Sequence, residues 1–137
     1  MHMAGYSGTP LVKKLGIKTG FKVALVSPPP GFLSELDLPS EVTINSRSAK
    51  PLDFALLFVK SETELKKTFS KYAARLKPTG MIWVSWPKKS SAVATDLSFS
   101  NVQAIGLAAG LVDTKICAVN EVWSGLKFVF RLRDRPS

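Results

Sequence analysis

The 137-residue chain has one cysteine and one histidine, and each scarcity removes a class of chemistry. Cys117 has no second thiol with which to close an internal disulfide or a cysteine metal site, and its place in an apolar strand pattern reads as core. A lone, non-bridged thiol points to a reducing cytoplasm. His2 stands at the very start, so neither histidine proton transfer nor zinc ligation has a residue to work with. No apolar run approaches the length that crosses a bilayer, which points to a soluble protein without a membrane partner. Acids are scarce as well. Ten Asp and Glu stand against nineteen Lys and Arg, a net charge of +9 that favours an anionic small molecule, an acidic protein partner or nucleic acid. The bases are scattered rather than blocked, so no nucleic-acid motif is read from them.

What is present alternates in a way that predicts one α/β domain over residues 1–137, with 1–8 flexible and 133–137 frayed. Thr9-Pro10 opens a short helix that Gly16 closes, and Lys22–Val26 is the first strand. After a proline loop, residues 32–36 hold one helical turn at most, and residues 42–44 make a short strand near a sheet edge. Residues 54–59 are an unbroken apolar run, as in a parallel strand covered on both faces. Ser61 and Glu64 form a capping-box pattern for a helix over residues 62–75, with Leu65, Phe69, Tyr72, Ala73 and Leu76 on its buried face and Lys67, Lys71 and Arg75 on a solvated one. Pro78 and Gly80 stop it, and residues 81–86 form the next strand. Ser98 caps a second long helix that ends at Gly110. A strand over residues 111–122, a tight turn at Ser124-Gly125 and a returning strand over residues 127–132, with Phe128, Phe130 and Leu132 inward, complete the order. The expected architecture is a three-layer Rossmann-like fold, its sheet mostly parallel with an antiparallel C-terminal edge strand.

The strand, the capped helix, then Leu76-Lys77-Pro78-Thr79-Gly80 and a further strand resemble the second half of a class I S-adenosylmethionine (SAM)-dependent methyltransferase. A final hairpin closes the sheet in that family too. The chain also resembles a bacterial domain-of-unknown-function family, through Ala4-Gly5-Tyr6-Ser7-Gly8-Thr9-Pro10-Leu11, Leu15-Gly16-Ile17-Lys18, Trp86-Pro87-Lys88-Lys89-Ser90-Ser91, Ala94-Thr95-Asp96-Leu97 and Trp123-Ser124-Gly125-Leu126. The methyltransferase resemblance implies a glycine-rich loop around the methionine moiety and an acid that holds the ribose. Here the first loop reads Ser27-Pro28-Pro29-Pro30-Gly31, whose prolines offer no N–H, and Asn45, Ser46 and Arg47 follow the second strand without an acid. The expectation from these departures is that no cofactor binds.

Ligands of open parallel sheets bind beyond the carboxyl ends of the strands. That edge gathers the candidate site: Ser27, Gly31, Lys60, Trp86, Lys88, Lys89, Ser90 and Ser91 as an anion-binding set, with no catalytic residue and no metal. Asp96 and Glu121 are the acids near these loops, each without an identifiable partner. Trp83 reads as core and Trp123 as hairpin packing. The leading expectation is a non-catalytic binding or regulatory module that recognises an anionic ligand or partner, the balance standing against an enzyme. A minimal SAM-dependent methyltransferase is the alternative, and a nucleic-acid-binding protein the second.

Overall fold

A computed structural model of the chain describes residues 10–45 and 50–132. Thr9, residues 1–8 with His2, Ser46, Arg47 and residues 133–137, on which some of the expectations above fall, lie outside them. The elements are α1 (Leu11–Leu15), β1 (Lys22–Val26), a 3-10 turn (Leu33–Glu35), β2 (Thr43–Ile44), β3 (Leu52–Phe58), α2 (Glu62–Ala73), β4 (Leu76–Pro87), α3 (Phe99–Ala108), β5 (Leu111–Ala118) and β6 (Trp123–Phe130). They form one six-stranded sheet in the order β2-β1-β3-β4-β6-β5. β2, β1, β3 and β4 are parallel neighbours, while β6 runs antiparallel to both β4 and β5. The mostly parallel Rossmann-like sheet with an antiparallel C-terminal hairpin at one edge is the architecture expected from the sequence. Within the hairpin, β6 takes the inner place and β5 the rim.

The apolar run in β3 lies at the sheet's centre because both of its faces are covered. Ala55 and Leu57 face α2 and α3, in a core with Leu65, Phe69, Val102 and Phe128. Phe54, Leu56 and Phe58 face α1 and the loop after β1, in a core with Val12, Leu15, Phe32 and Trp83. Trp83 and Trp86, three apart on β4, therefore face opposite layers.

Three boundaries differ from the sequence reading, each for a local reason. α2 stops at Ala73, because Leu76 pairs with Leu52 and starts β4, so residues 78–80 lie inside that strand. The hairpin turn falls at residues 119–122, where the Asn120 side-chain oxygen accepts from the N–H groups of Val122 and Trp123. Ser124 and Gly125 are strand residues. Gly125 is small because a Cβ there would sit 2.9 Å from Val119 and 3.2 Å from the Trp83 ring. Leu132, expected inward, is 79% exposed just past the end of β6, whereas Phe128 is fully buried.

Of the two capped helices, α3 carries the complete reciprocal box: Ser98 accepts from the Asn101 N–H, and the Asn101 side chain accepts from the Ser98 N–H. At α2, Ser61 accepts from the Glu64 N–H at 3.1 Å, but the Glu64 carboxylate accepts from Lys60 N–H at 3.0 Å, one residue before the expected partner.

Gly106 lies in the interior of α3 against the Phe128 ring, which a Cβ would overlap. Replacing a mid-helix glycine by alanine ordinarily gains up to about 1 kcal/mol. Here overpacking reverses the sign. Gly106→Ala is expected to destabilise the protein by about 1–3 kcal/mol in urea unfolding.

Candidate functional site

The strand order reverses at β1, with β2 on one side and β3 on the other. The loop after β1 packs Phe32 and Leu36 onto the α1 face, whereas α2, which follows β3, packs onto the opposite face. Connections that leave in opposite directions open a crevice between the carboxyl ends of β1 and β3.

Ser27 stands at the head of that crevice, exposed and in the left-handed region at φ 55°. It lines a cavity of about 300 Å³ that follows β1 on the α2 side, together with Ala24, Val26, Leu52, Asn45, Tyr72 and Arg75. Asn45, at φ 51° just beyond β2, is fixed by its side-chain oxygen, which accepts from the Leu25 N–H at 2.8 Å. Asn45 is itself exposed, and its side-chain amide retains two N–H donors. The Arg75 guanidinium lies 5.7 Å from the Tyr72 ring centre, and the Lys71 amine lies 5.5 Å from it. Arg75 is thus half-buried against an aromatic ring, unlike the exposed Lys67 and Lys71 that share its ridge.

The other sequence-chosen residues gather further along the same edge. Trp86, Lys88 and Lys89 line a cavity of about 340 Å³ with Ser98, Ser100 and Ser124 at the start of α3. Lys88 and Lys89 also line a neighbouring cavity of about 440 Å³ with Thr95 and Asp96. The Lys88 N–H donates to Val122 O at 2.8 Å, tying this loop to the hairpin turn. Ser91 is occupied within the loop: its hydroxyl donates to Lys88 O at 2.8 Å and accepts from the Val93 N–H. Ser90 is exposed on the same turn. Gly31 is exposed at φ 81°, and its carbonyl accepts from the Ser34 hydroxyl.

Lys60 acts through its backbone. Its carbonyl accepts from the Thr95 hydroxyl at 2.6 Å and from the Asp96 N–H at 3.4 Å, which staples the 95–96 loop to the end of β3. One Asp96 side-chain oxygen accepts from the Glu62 N–H at 2.9 Å in the first turn of α2. Asp96 is therefore engaged as a helix-start acceptor. Trp123 is hairpin packing, its ring edge-on to Phe58 at 5.1 Å. Cys117 is half-buried, and burial pushes its thiol above the ordinary range although Lys14 and Lys115 pull it back.

Sequence reasoning put Ser27 in the site but missed the residues around it. Asn45 was read for the carboxylate it lacks, and Tyr72 and Arg75 were divided between a buried and a solvated face. Their spacing of three, Tyr72 in the last turn of α2 and Arg75 just past its end, was the available signal.

The architecture matches known structures across most of the chain. It is similar to a SAM dependent methyltransferase from Aquifex aeolicus at 16% identity and a TM-score of 0.59, covering 86% of each chain. It is also similar to a ribosomal protein L11 methylase from Lactobacillus delbrueckii subsp. bulgaricus, at 10% identity and 0.59, covering 88% of this chain and 75% of that one. A magnesium protoporphyrin IX methyltransferase from Synechocystis PCC 6803 with bound SAH aligns at 8% identity and 0.57, covering 88% and 78%. No family model and no curated relative matches the chain. The fold is a truncated methyltransferase fold. Between β1 and β2 it keeps a single 3-10 turn rather than a crossover helix. The comparisons also overturn the expectation of a non-catalytic module and the balance against an enzyme. The three structures named above are methyltransferases. Among the described residues, no helix is long and apolar enough to cross a membrane.

Asp96→Ala removes the acceptor of the Glu62 N–H and is expected to cost about 1 kcal/mol of stability in urea unfolding, the usual worth of one such bond. Lys88→Ala with Lys89→Ala is expected to stay within about 0.5 kcal/mol in the same assay.

Proposed function

We propose that the chain is a minimal SAM-dependent methyltransferase that works at the carboxyl edge of β1, β3 and β4. One observation carries the reading: the strand order reverses at β1, and from Ser27 at that point a donor-lined cavity runs along β1 towards the amino end of β3, where Leu52 and Arg75 stand. The likeness to methyltransferase structures over most of the chain supports it. The same reading keeps the chain with the bacterial domain-of-unknown-function family that its motifs resemble, and with a cytoplasmic setting.

The donor chemistry of the cavity fits SAM. The Ser27 hydroxyl and the Asn45 amide would hold sugar hydroxyls, and the Arg75 guanidinium would oppose the amino-acid carboxylate. Side chains thus replace the glycine N–H groups that residues 28–30 cannot offer, while those prolines stiffen the wall of the crevice. When bound, SAM supplies a methyl group activated by a sulfonium centre for transfer to a nucleophile.

Lys88 and Lys89, beside the first turn of α3, favour an acceptor substrate that carries negative charge. Asp96, the acid of the adjoining cavity, has one side-chain oxygen already engaged by the Glu62 N–H. The two ammonium groups take over part of a base's task, since they favour the deprotonated form of an acidic acceptor. Burial of Trp86 and Leu97 gives this cavity an apolar wall that excludes water from the acceptor.

The test is titration calorimetry with SAM and with S-adenosylhomocysteine, followed by transfer of labelled methyl groups. Asn45→Asp is the informative variant, because it keeps the acceptor for the Leu25 N–H and adds a carboxylate oxygen for sugar hydroxyls. It is expected to bind SAM roughly fivefold more tightly, the equivalent of about 1 kcal/mol. Absence of binding by both ligands to the parent chain would remove the reading.

A further inference from the structure

The two tryptophans of β4 differ in one respect: the Trp83 indole N–H has an acceptor, Leu15 O at 2.9 Å, and that of Trp86 has none among the described residues. Trp86 is only 5% exposed, and an indole N–H sealed in a core ordinarily finds a partner. Ser85 Oγ is the one fully buried side-chain polar atom left without a partner among the described residues, so the Trp86 N–H is reached from outside. The cavity that Trp86 lines is the recess of about 340 Å³ at the start of α3.

The free hydrogen-bonding groups of that recess can all donate. The Lys88 and Lys89 amines and the Ser100 and Ser124 hydroxyls have no partner among the described residues. An ammonium and an indole can do nothing but donate. Ser98 is engaged in the capping box, and the first-turn N–H groups of α3 have no acceptor within the helix. Among the described residues no carboxylate lines the recess; Asp96 stands in the neighbouring one, with one side-chain oxygen held by the Glu62 N–H. The rest of the lining is apolar and largely aromatic: Trp86, the buried Leu97, and Phe99, which keeps 39% of its surface exposed.

We propose that this recess binds a planar aromatic anion, an arenecarboxylate or phenolate. The ligand has to accept several hydrogen bonds, carry negative charge and present a flat apolar body. Trp86 and Phe99 gain from a ring set edge-on or offset against them, beyond the area buried, and the two ammonium groups gain from the face of an electron-rich ring. An aliphatic acid offers neither, and inorganic phosphate leaves the aromatic lining uncovered. The volume stands at the small end of ligand cavities, which suits a single ring or a fused pair. The recess is the one read above as the acceptor's, so a role in methyl transfer rests on that reading, whereas the binding itself does not.

The test is a titration of the full chain with salicylate, and with naphthoate for a fused pair, followed by the indole and amide NMR signals and run without SAM. Saturable shifts are expected at the Trp86 indole N–H and at the amides of Phe99, Ser100 and Ser124, with the Trp83 indole unmoved. Cyclohexanecarboxylate keeps the charge without the aromatic ring, and salicylamide keeps the ring without the carboxylate; each should bind roughly tenfold more weakly than salicylate. Lys88→Ala with Lys89→Ala, which is expected to leave stability nearly unchanged, should weaken salicylate binding roughly tenfold, and Phe99→Leu about threefold. Lys66→Gln with Lys67→Gln, on α2, should not change it. Absence of binding by both aromatic acids, equal affinity for cyclohexanecarboxylate, displacement by equimolar inorganic phosphate, or an unmoved Trp86 indole would overturn the proposal. Salicylate binding by a chain that takes neither SAM nor S-adenosylhomocysteine keeps the site and removes methyl transfer. SAM binding without binding of either aromatic acid keeps methyl transfer and removes this ligand class.

Discussion

The indole of Trp83 is fully buried between the central sheet and α1, and its N–H donates to Leu15 O at 2.9 Å, across 68 residues of chain. That bond satisfies a carbonyl at the end of a five-residue helix that packing, rather than its own length, must stabilise. Gly16 turns the chain away at φ 88°, and Gly125 on the neighbouring strand leaves room for the ring. With α1 held in this way, the apolar faces of β1 and β3 are closed by Phe32, Leu36 and Leu15 rather than by a crossover helix. The short connection after β1 is sufficient because aromatic packing does the work of a missing element. The edge-on contacts of Phe58 with Phe32 at 4.9 Å and with Trp123 at 5.1 Å extend that layer to the carboxyl edge.

The same economy shapes the candidate site. The loop after β1 closes the α1 face of that strand; on the α2 face the cavity along Ala24 and Val26 stays open beside Tyr72 and Arg75. The staple from Thr95 and Asp96 to Lys60 and Glu62 fixes the loop that lines a separate recess with Lys88 and Lys89. One recess is rich in donors suited to a nucleoside and a carboxylate, and the other is lined by two lysines beside a capped helix start.

Much of the fold is legible in the chain because local signals agree with tertiary ones. The apolar run through residues 54–59, Ser61 and Ser98 as caps, and the alternation of strands with capped helices all point to the same sheet. Glycine misled where its role was spatial. Gly125 reads as a turn residue but is small for the sake of Trp83, so the hairpin turn was placed several residues late. The site was half legible for a related reason. Ser27, Trp86, Lys88 and Lys89 lie at or just past strand ends, which topology alone brings to one edge. Asn45, Tyr72 and Arg75 join Ser27 along the open α2 face of β1, which no periodicity announces. The proline loop also drew attention to what the backbone cannot donate and away from the side chains that surround it.

The central claim is that the crevice at β1, rather than some other surface, receives the cofactor. Amide chemical-shift mapping during titration with S-adenosylhomocysteine tests it directly. The account predicts the largest, saturable changes at Ser27, Gly31, Asn45, Tyr72 and Arg75. Saturable changes centred elsewhere, or none at any of these five positions, would contradict it.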